Sequence, residues 1–161
     1  MSGPAISRSE ADDFDSVIAE LARFRYLLRK FLHFSESAAR KAGVTPQQHQ
    51  LMLGIAGFTG SGRATVSELA EFLQERHHSV VGLIDRCVRS RLVCRQSEPS
   101  DRRVVVVSLT QRGRAILKRL SLQHRDEVKQ LRNELPRFAQ EQITKPFAAA
   151  RTSRKTKKGP L

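Results

Sequence analysis

Cysteine is scarce in this sequence, and the two present, Cys87 and Cys94, have no partners at zinc-ligand spacing. This predicts neither a disulfide framework nor a structural zinc, so we expect reduced thiols and no bound metal. Long apolar runs are missing too, since no stretch of about 18 or more apolar residues occurs. The first residues carry acids where a signal peptide needs an apolar core, which predicts a cytoplasmic protein.

Motifs for catalysis and nucleotide binding are absent as well. The five histidines show no metalloprotease spacing, and there is neither a nucleophile elbow nor a paired-carboxylate arrangement. His77 and His78 are adjacent, so on a helix they point about 100° apart and cannot easily share a metal. Gly57, Gly60 and Gly62 neither follow a strand nor precede the Lys-Ser/Thr of a P-loop. The sequence therefore predicts a protein that is not an enzyme and uses no cofactor.

Acidic residues are few relative to basic ones, with 16 Asp and Glu against 29 Lys and Arg. The formal net charge of +13 and a sequence pI near 11.0 are typical of a protein that binds polyanions. Nucleic acid is the leading partner class, and an anionic membrane surface is the competing one. Residues 149–161 include five basic residues and no acid. We expect them to form a disordered tail that adds salt-sensitive affinity for any DNA.

The N-terminal part predicts one long helix after a mobile leader of residues 1–9. From Asp13 to about Lys41, apolar residues recur at alternating spacings of three and four, as in a coiled-coil-like seam. More apolar residues lie beside the seam, which favours two neighbours, the chain's own core and a second subunit. The alternative is that all of these residues form intramolecular core. The seam consists of Phe14, Val17, Leu21, Phe24, Leu28 and Phe31.

A second, shorter helix is predicted after Gly43, which resembles a helix-ending glycine. Thr45 as N-cap, Pro46 at the first helical position and Gln48 closing a capping box agree on where it starts. Its apolar pattern continues to about Phe58, and the following GFTGSGRA is predicted to be a turn.

The pattern from Thr65 onward predicts a helix-turn-helix. Thr65 and Glu68 form a capping box that starts one helix, and after a break of about one turn a second helix extends to about Ser90. This second helix, starting at His77 or His78, is the candidate recognition helix because hydrogen-bonding and cationic groups stand early in it. Its outward residues are His77, His78, Ser79, Val81, Gly82, Asp85, Arg86 and Arg89.

Two strand-like runs follow, at residues 92–93 and 104–109, and the intervening SEPSDRR has the chemistry of a turn. We therefore predict a hairpin. Arg102 and Arg103 lie near a polar tip that suits a DNA minor groove, and Asp101 is close enough to orient one of them. The alternative is a solvated surface hairpin.

Thr110 is predicted to be the N-cap of a long C-terminal helix, which Pro136 interrupts or kinks. The order of elements predicts a mainly α protein with a small β-hairpin, in which one winged helix-turn-helix domain covers residues 10–148. Its DNA-binding lobe would be residues 47–110. Residues 13–42 and 110–147 would supply long dimerisation helices.

Three motifs make the chain similar to the multiple-antibiotic-resistance regulator (MarR) family: SELAEFL, VGLIDRCVRSRLVCR and SDRRVVVVSLT. The last resembles the family's wing signature of Asp, any residue, Arg and a strand ending in Leu-Thr. The resemblance implies a homodimeric regulator, with a winged helix-turn-helix in each subunit, that binds a palindromic operator. It also implies that Asp101 orients the wing, that Arg103 is the minor-groove residue, and that recognition-helix contacts come from four residues. These are Ser79, Val81, Gly82 and Arg86.

Three positions depart from the family pattern. Arg91 stands where a glycine usually follows the recognition helix, which leaves open whether the left-handed turn is kept. Cys87 replaces a core leucine. Gly82 replaces a position that is often polar or basic, at a cost of roughly 1 kcal/mol relative to Ala. Either the helix merely tolerates Gly82, or Gly82 lets the helix approach the floor of the groove closely.

The resemblance also implies a switch that releases DNA, commonly a small aromatic acid or phenol. Its pocket would lie among the first, second and C-terminal helices, with His33 and His49 as candidates by location. A thiol switch at Cys94, whose thiolate Arg95 would favour, is an alternative. Two alternative functions of the whole protein also stay open. One is a sequence-tolerant, nucleoid-type DNA binder, and the other is a sensor that acts through protein partners.

Overall fold

The computed structural model describes the backbone of residues 8–98 and 101–135, and the side chains of residues 14–98 and 104–135. Five α-helices and three strands make up most of this part of the chain, with one π-helical turn. In order they are α1 (Arg8–Lys41), α2 (Pro46–Leu53), the π-helical turn (Gly54–Phe58), β1 (Arg63–Thr65), α3 (Val66–Leu73), α4 (His77–Arg89), β2 (Val93–Glu98), β3 (Asp101–Leu109) and α5 (Gln111–Glu134).

Helix α1 begins earlier than predicted, at Arg8 rather than Asp13, so the expected leader of residues 1–9 was too long at its inner end. Residues 8–12 contain no glycine or proline, and the acidic residues among them suit the positive end of the helix dipole. Residues 1–7 lie outside the described part of the chain. The predicted end is confirmed: Gly43 has a φ of +80°, and the amide of Val44 donates to the carbonyl of Ala39.

Helix α2 starts at Pro46, as predicted, and its continuation to Phe58 changes from α to π geometry at Gly54. A side chain at Gly54 would be blocked, because a Cβ there would lie 2.7 Å from the Phe72 ring. This close approach packs the π-helical turn against α3, with the rings of Phe58 and Phe72 at a centroid distance of 5.4 Å.

The sheet has three antiparallel strands in the order β1-β3-β2, one more than the predicted hairpin. The segment predicted as the turn GFTGSGRA contains most of β1, whose Ala64 lies opposite Val107. The turn SEPSDRR was also predicted too long, because β2 extends to Glu98 and β3 begins at Asp101. Both differences arise because β1 and β2 pair with the backbone of β3, and the turn residues in the local sequence do not reveal this pairing.

Helix α5 begins after Thr110, whose side-chain oxygen accepts a hydrogen bond from the Gly113 amide at 3.1 Å. This confirms the predicted N-cap. The helix ends at Glu134, before Pro136. The helical segment expected up to residue 147 and the basic tail 149–161 lie outside the described residues.

The chain divides into two units. Among described residues, one comprises 8–46 and 118–135. Its core joins Leu27 and Leu135, with Phe24 and Leu131 packed against them, and His124 is 8% exposed. The ring of His124 meets Phe34 edge-on at 5.2 Å, which agrees with a packed histidine.

The second unit comprises residues 47–117. Fully buried side chains from each of its helices and from the sheet form its core. They include Leu51, Met52, Ile55, Leu69, Ile84, Leu92 and Val107. The predicted fold class, mainly α with a small β element in a winged helix-turn-helix, is confirmed.

Candidate nucleic-acid interface

The first helix of the helix-turn-helix is fixed at its start by the predicted capping box. The Thr65 amide donates to the Glu68 carboxylate at 2.7 Å, and the Glu68 amide donates to the Thr65 hydroxyl at 3.3 Å. At its other end Gln74 adopts a left-handed conformation, with φ 54°. The chain then turns through residues 74–76 into α4, which begins at His77 as predicted.

Helix α4 has one buried and one exposed face, as expected of a recognition helix. Val80, Leu83, Ile84 and Cys87 are buried. Val88, which the periodicity placed with them, is 38% exposed. On the opposite face the polar and cationic side chains of the predicted DNA-binding set are exposed, and Val81 and Gly82 are half-buried. The exposed members are His77, His78, Ser79 and Arg86.

The left-handed turn that usually requires glycine is kept at the end of α4. Arg91 adopts the left-handed conformation itself, with φ 56°. Its amide donates to the Val88 carbonyl at 2.9 Å, and the Leu92 amide donates to the Cys87 carbonyl at 2.9 Å. The usual helix-ending motif is therefore kept with an arginine in the glycine position.

The wing, defined here as β2, β3 and their connection, has an irregular outer half. Ser97 pairs with Val105, but the next residue, Glu98, pairs with Asp101, so Arg102 and Arg103 lie in a bulged part of β3. The backbones of Asp101, Arg102 and Arg103 thus stand together at the outer end of the wing. The side chains of these three predicted contact residues are outside the described set.

Two ion pairs hold acidic groups of this unit beside arginines. Arg95 of β2 contacts the Asp85 carboxylate of α4 at 2.6 Å, and Arg63 of β1 contacts Glu98 at 3.4 Å. The first pair joins the wing to the recognition helix and balances the negative charge on that helix. Arg76 just before α4 and Arg86 and Arg89 within it are exposed, so the remaining charge of this segment is positive.

The geometry does not support activation of Cys94 by Arg95. Successive residues of a strand point to opposite faces, and the guanidinium of Arg95 is held by Asp85. The Cys94 sulfur lies 3.3 Å from the Ser108 hydroxyl. Cys87 is fully buried, and its burial outweighs the nearby charge of Arg86 and raises the pKa of its thiol to about 11, which disfavours the reactive thiolate.

A tight junction at the Leu92 carbonyl was missed from the sequence. The amide of Thr110 donates to this carbonyl at 3.0 Å, and the hydroxyl of Thr110 lies 2.7 Å from the carbonyl oxygen of Arg91 and 3.1 Å from that of Leu92. A Cβ at Gly113 would lie only 2.1 Å from the Leu92 oxygen, so only glycine fits. The available signal was a glycine inside the first turn of a helical pattern, which often marks a close backbone approach.

The described part of the chain contains neither a candidate metal site nor a candidate membrane-spanning helix. No three His, Cys, Asp or Glu side chains come together there as metal ligands would. None of the helices described has the length and apolar character needed to cross a membrane.

These observations define the class of the protein as a winged helix-turn-helix. The MarR family model matches residues 42–104, which span α2 to the outer half of the wing. The resemblance predicted from the sequence is therefore confirmed over these residues, which are similar to the MarR family.

Two curated relatives come from Bacillus subtilis (strain 168). The HTH-type transcriptional repressor MdtR is 36% identical over 73 residues, which is 45% of each chain. The uncharacterised HTH-type transcriptional regulator YhbI is 28% identical over 100 residues, 62% of this chain and 63% of its own. The chain thus spans about half to two thirds of the length of these relatives.

Solved structures share the fold at low sequence identity. The MarR family transcription regulator SP03579 has a TM-score of 0.68 at 20% identity, over 84% of this chain and 88% of its own. A mutant MarR from E. coli complexed with operator DNA has a TM-score of 0.61 at 20% identity, over 82% and 98%.

Proposed function

We propose that the protein is a homodimeric, sequence-specific regulator of transcription that represses genes by binding a palindromic operator. The observation that carries this proposal is the exposed polar and cationic face of α4, held outward by the fully buried Val80, Ile84 and Cys87. A rigid helix with such a face suits the DNA major groove. The printed names of MdtR, a repressor, and of the MarR complex with operator DNA support this role.

The contacts are divided between helix and wing. His77, His78, Ser79, Val81, Gly82 and Arg86 face base edges from α4. Arg103 enters the minor groove, Asp101 orients it, and Arg102 meets phosphate. This division follows from the exposure of α4 and from the SDRR motif at the outer end of β3.

The homodimer rests on the first half of α1. Apolar side chains there are half to two-thirds exposed at spacings of three and four, which is the pattern of a helix that packs against a partner. A second copy of the chain would cover them. They are Phe14 at 64%, Val17 at 49%, Ile18 at 47% and Leu21 at 51%.

The substitution Arg103→Ala tests the wing assignment. We expect it to weaken binding to the operator by roughly 1 to 3 kcal/mol without changing the melting temperature, because one minor-groove contact is lost. Arg125→Ala is the matched control, since Arg125 is an exposed arginine on α5 and carries the same charge. Fluorescence-anisotropy titrations of a labelled operator would measure both. Equal affinities of the two variants would contradict the wing contact.

Release by a small effector is the regulatory part of the proposal. A cavity of about 510 Å³, lined by Phe34, Lys41 and Arg119 among others, lies within the unit of residues 8–46 and 118–135. An aromatic ring beside two cations suits an aromatic carboxylate, and the volume is in the range of ligand sites. Neither His33 nor His49, the candidates by location, is among its described lining residues.

Benzoate serves as the probe for this cavity. We expect saturable binding by calorimetry and release of the operator at the same concentrations, and we expect Arg119→Gln to weaken both at least tenfold. Arg125→Gln, outside the cavity, should leave both unchanged. Operator release without saturable binding, or release that Arg119→Gln leaves unaltered, would reject this effector site.

A sequence-tolerant, nucleoid-type DNA binder is the second candidate, and the net charge of +13 favours it. It differs from the first in one measurable property, because its affinity would be nearly equal for every duplex. In either case the protein would act on chromosomal DNA in the bacterial cytoplasm.

A further inference from the structure

Gly82 stands in the middle of the exposed face of the recognition helix, where a glycine weakens the helix. Two other helical glycines of the described chain, Gly54 and Gly113, have a reason inside the fold, whereas Gly57 in the π-helical turn has none, since a Cβ there would meet no atom within 4 Å. A Cβ at Gly54 would meet the Phe72 ring at 2.7 Å, and one at Gly113 would meet the Leu92 carbonyl oxygen at 2.1 Å. In both cases a close approach of neighbouring elements requires glycine.

Gly82 has no such reason. The nearest atom to a Cβ built there would be a guanidinium nitrogen of Arg86 at 3.7 Å, which is an ordinary contact. The backbone of Gly82 is not in the left-handed region, because the described glycines with a positive φ are Gly43, Gly60 and Gly62. An alanine at this position would therefore fit the folded protein and strengthen the helix.

The position of Gly82 on α4 suggests why a residue without a side chain stands there. His78 and Ser79 lie one turn before it and Arg86 one turn after it, on the same face of α4. All three of these side chains are exposed, whereas Gly82 between them is half-buried and, having no side chain, leaves a shallow notch beside the Arg86 guanidinium. The backbone of α4 is thus partly accessible from outside at the centre of the face proposed to meet DNA.

We infer that Gly82 sets the distance between the recognition helix and the DNA, with the edge of a base pair resting in the notch. The inference rests on the proposed function and gives Gly82 a specificity-determining role in it. A methyl group at this position would hold the helix away from the groove floor. The base contacts of His78, Ser79 and Arg86 would then exceed hydrogen-bond length, while contacts to phosphates, made by flexible basic side chains, would adjust.

The test compares Gly82→Ala with Gly57→Ala. Gly57 is the matched control because it is exposed and helical, and a Cβ there would meet no atom within 4 Å. A duplex selected from a random pool by the wild-type protein serves as the specific target, and a scrambled duplex serves as the non-specific one. We expect Gly82→Ala to raise the melting temperature by about 2 to 4 °C. We expect it to weaken specific binding at least tenfold and non-specific binding less than about twofold. Gly57→Ala should change neither affinity.

Each other outcome overturns the inference. If the wild type discriminates between the duplexes and Gly82→Ala binds the specific one equally well, the notch plays no part in recognition. If Gly82→Ala loses affinity for both duplexes alike, the contact is not with base edges. If the wild type does not discriminate at all, the proposed function fails first, and the inference fails with it.

Discussion

Arg91 occupies a backbone position that favours glycine, so its conformation is strained. It ends α4 in the left-handed conformation, with φ 56°, which costs an L-residue about 1 to 2 kcal/mol and costs glycine almost nothing. The hydrogen bonds of Arg91 and Leu92 back to α4 require this conformation. The arginine is exposed, so it brings a positive charge to the end of the recognition helix.

Arg91→Gly should raise the free energy of unfolding by roughly 1 kcal/mol, because glycine adopts the required φ without strain. Arg89→Gly is the control: residue 89 is the last residue of α4 and has no positive φ, so glycine relieves no strain there and should lower the stability by up to roughly 1 kcal/mol. Urea denaturation followed by circular dichroism measures both. A destabilised Arg91→Gly variant would show that the side chain of Arg91 contributes more than its backbone costs.

At the scale of elements, the junction around Leu92 connects three parts of the DNA-binding unit. The Leu92 carbonyl follows α4, accepts a hydrogen bond from the amide of Thr110 just after β3, and lies against Gly113 in the first turn of α5. The end of the recognition helix, the wing and the start of α5 are thereby held at one oxygen atom.

Gly113→Ala should lower the free energy of unfolding by roughly 1 to 3 kcal/mol, since the added methyl group collides with a backbone oxygen that cannot move aside easily. Thermal melts would measure the loss. Gly57→Ala, where a Cβ meets no atom within 4 Å, should melt close to the wild type. If Gly113→Ala retained wild-type stability, the junction would be looser than its geometry indicates.

Elements with local signals could be predicted from the sequence, and elements that depend on distant pairing could not. The capping box of Thr65 and Glu68 and the N-cap Thr110 each mark a helix start within four residues of sequence, and the structure confirms them. Strand β1 is only three residues long and follows a glycine-rich turn. It exists because residues more than forty positions away in β3 pair with it, as Ala64 does with Val107.

The same distinction holds for the candidate site, where features with local signals were predicted and contacts between distant residues were not. Helical periodicity identified the exposed face of α4, and the departure at Arg91 was visible in the sequence, although its conformation was not. The partner of Arg95 was misjudged, because adjacency to Cys94 suggested a contact, whereas the alternation of a strand directs Arg95 to Asp85. The junction at Gly113 depends on the carbonyl of Leu92, which no pattern near Gly113 reveals.

At the scale of the whole molecule, charge and recognition make separate contributions to DNA binding. Under the proposed function, the net charge of +13 would favour any duplex and be screened by salt, whereas the α4 face and the wing would act on particular bases. Specific and non-specific binding should therefore both weaken as salt rises, with the preference for the operator maintained. The account depends on that preference.

Genome-wide mapping of binding sites in the source organism, followed by titration of the mapped sequences with purified protein, tests the preference for an operator most directly. We predict discrete peaks that share a palindrome with half-sites about one helical turn apart, roughly 10 to 10.5 base pairs, because two copies of α4 would enter successive major grooves. Purified protein should bind such a sequence at least about a thousandfold more tightly than a scrambled one. A flat binding profile with equal affinity for every duplex would contradict the account.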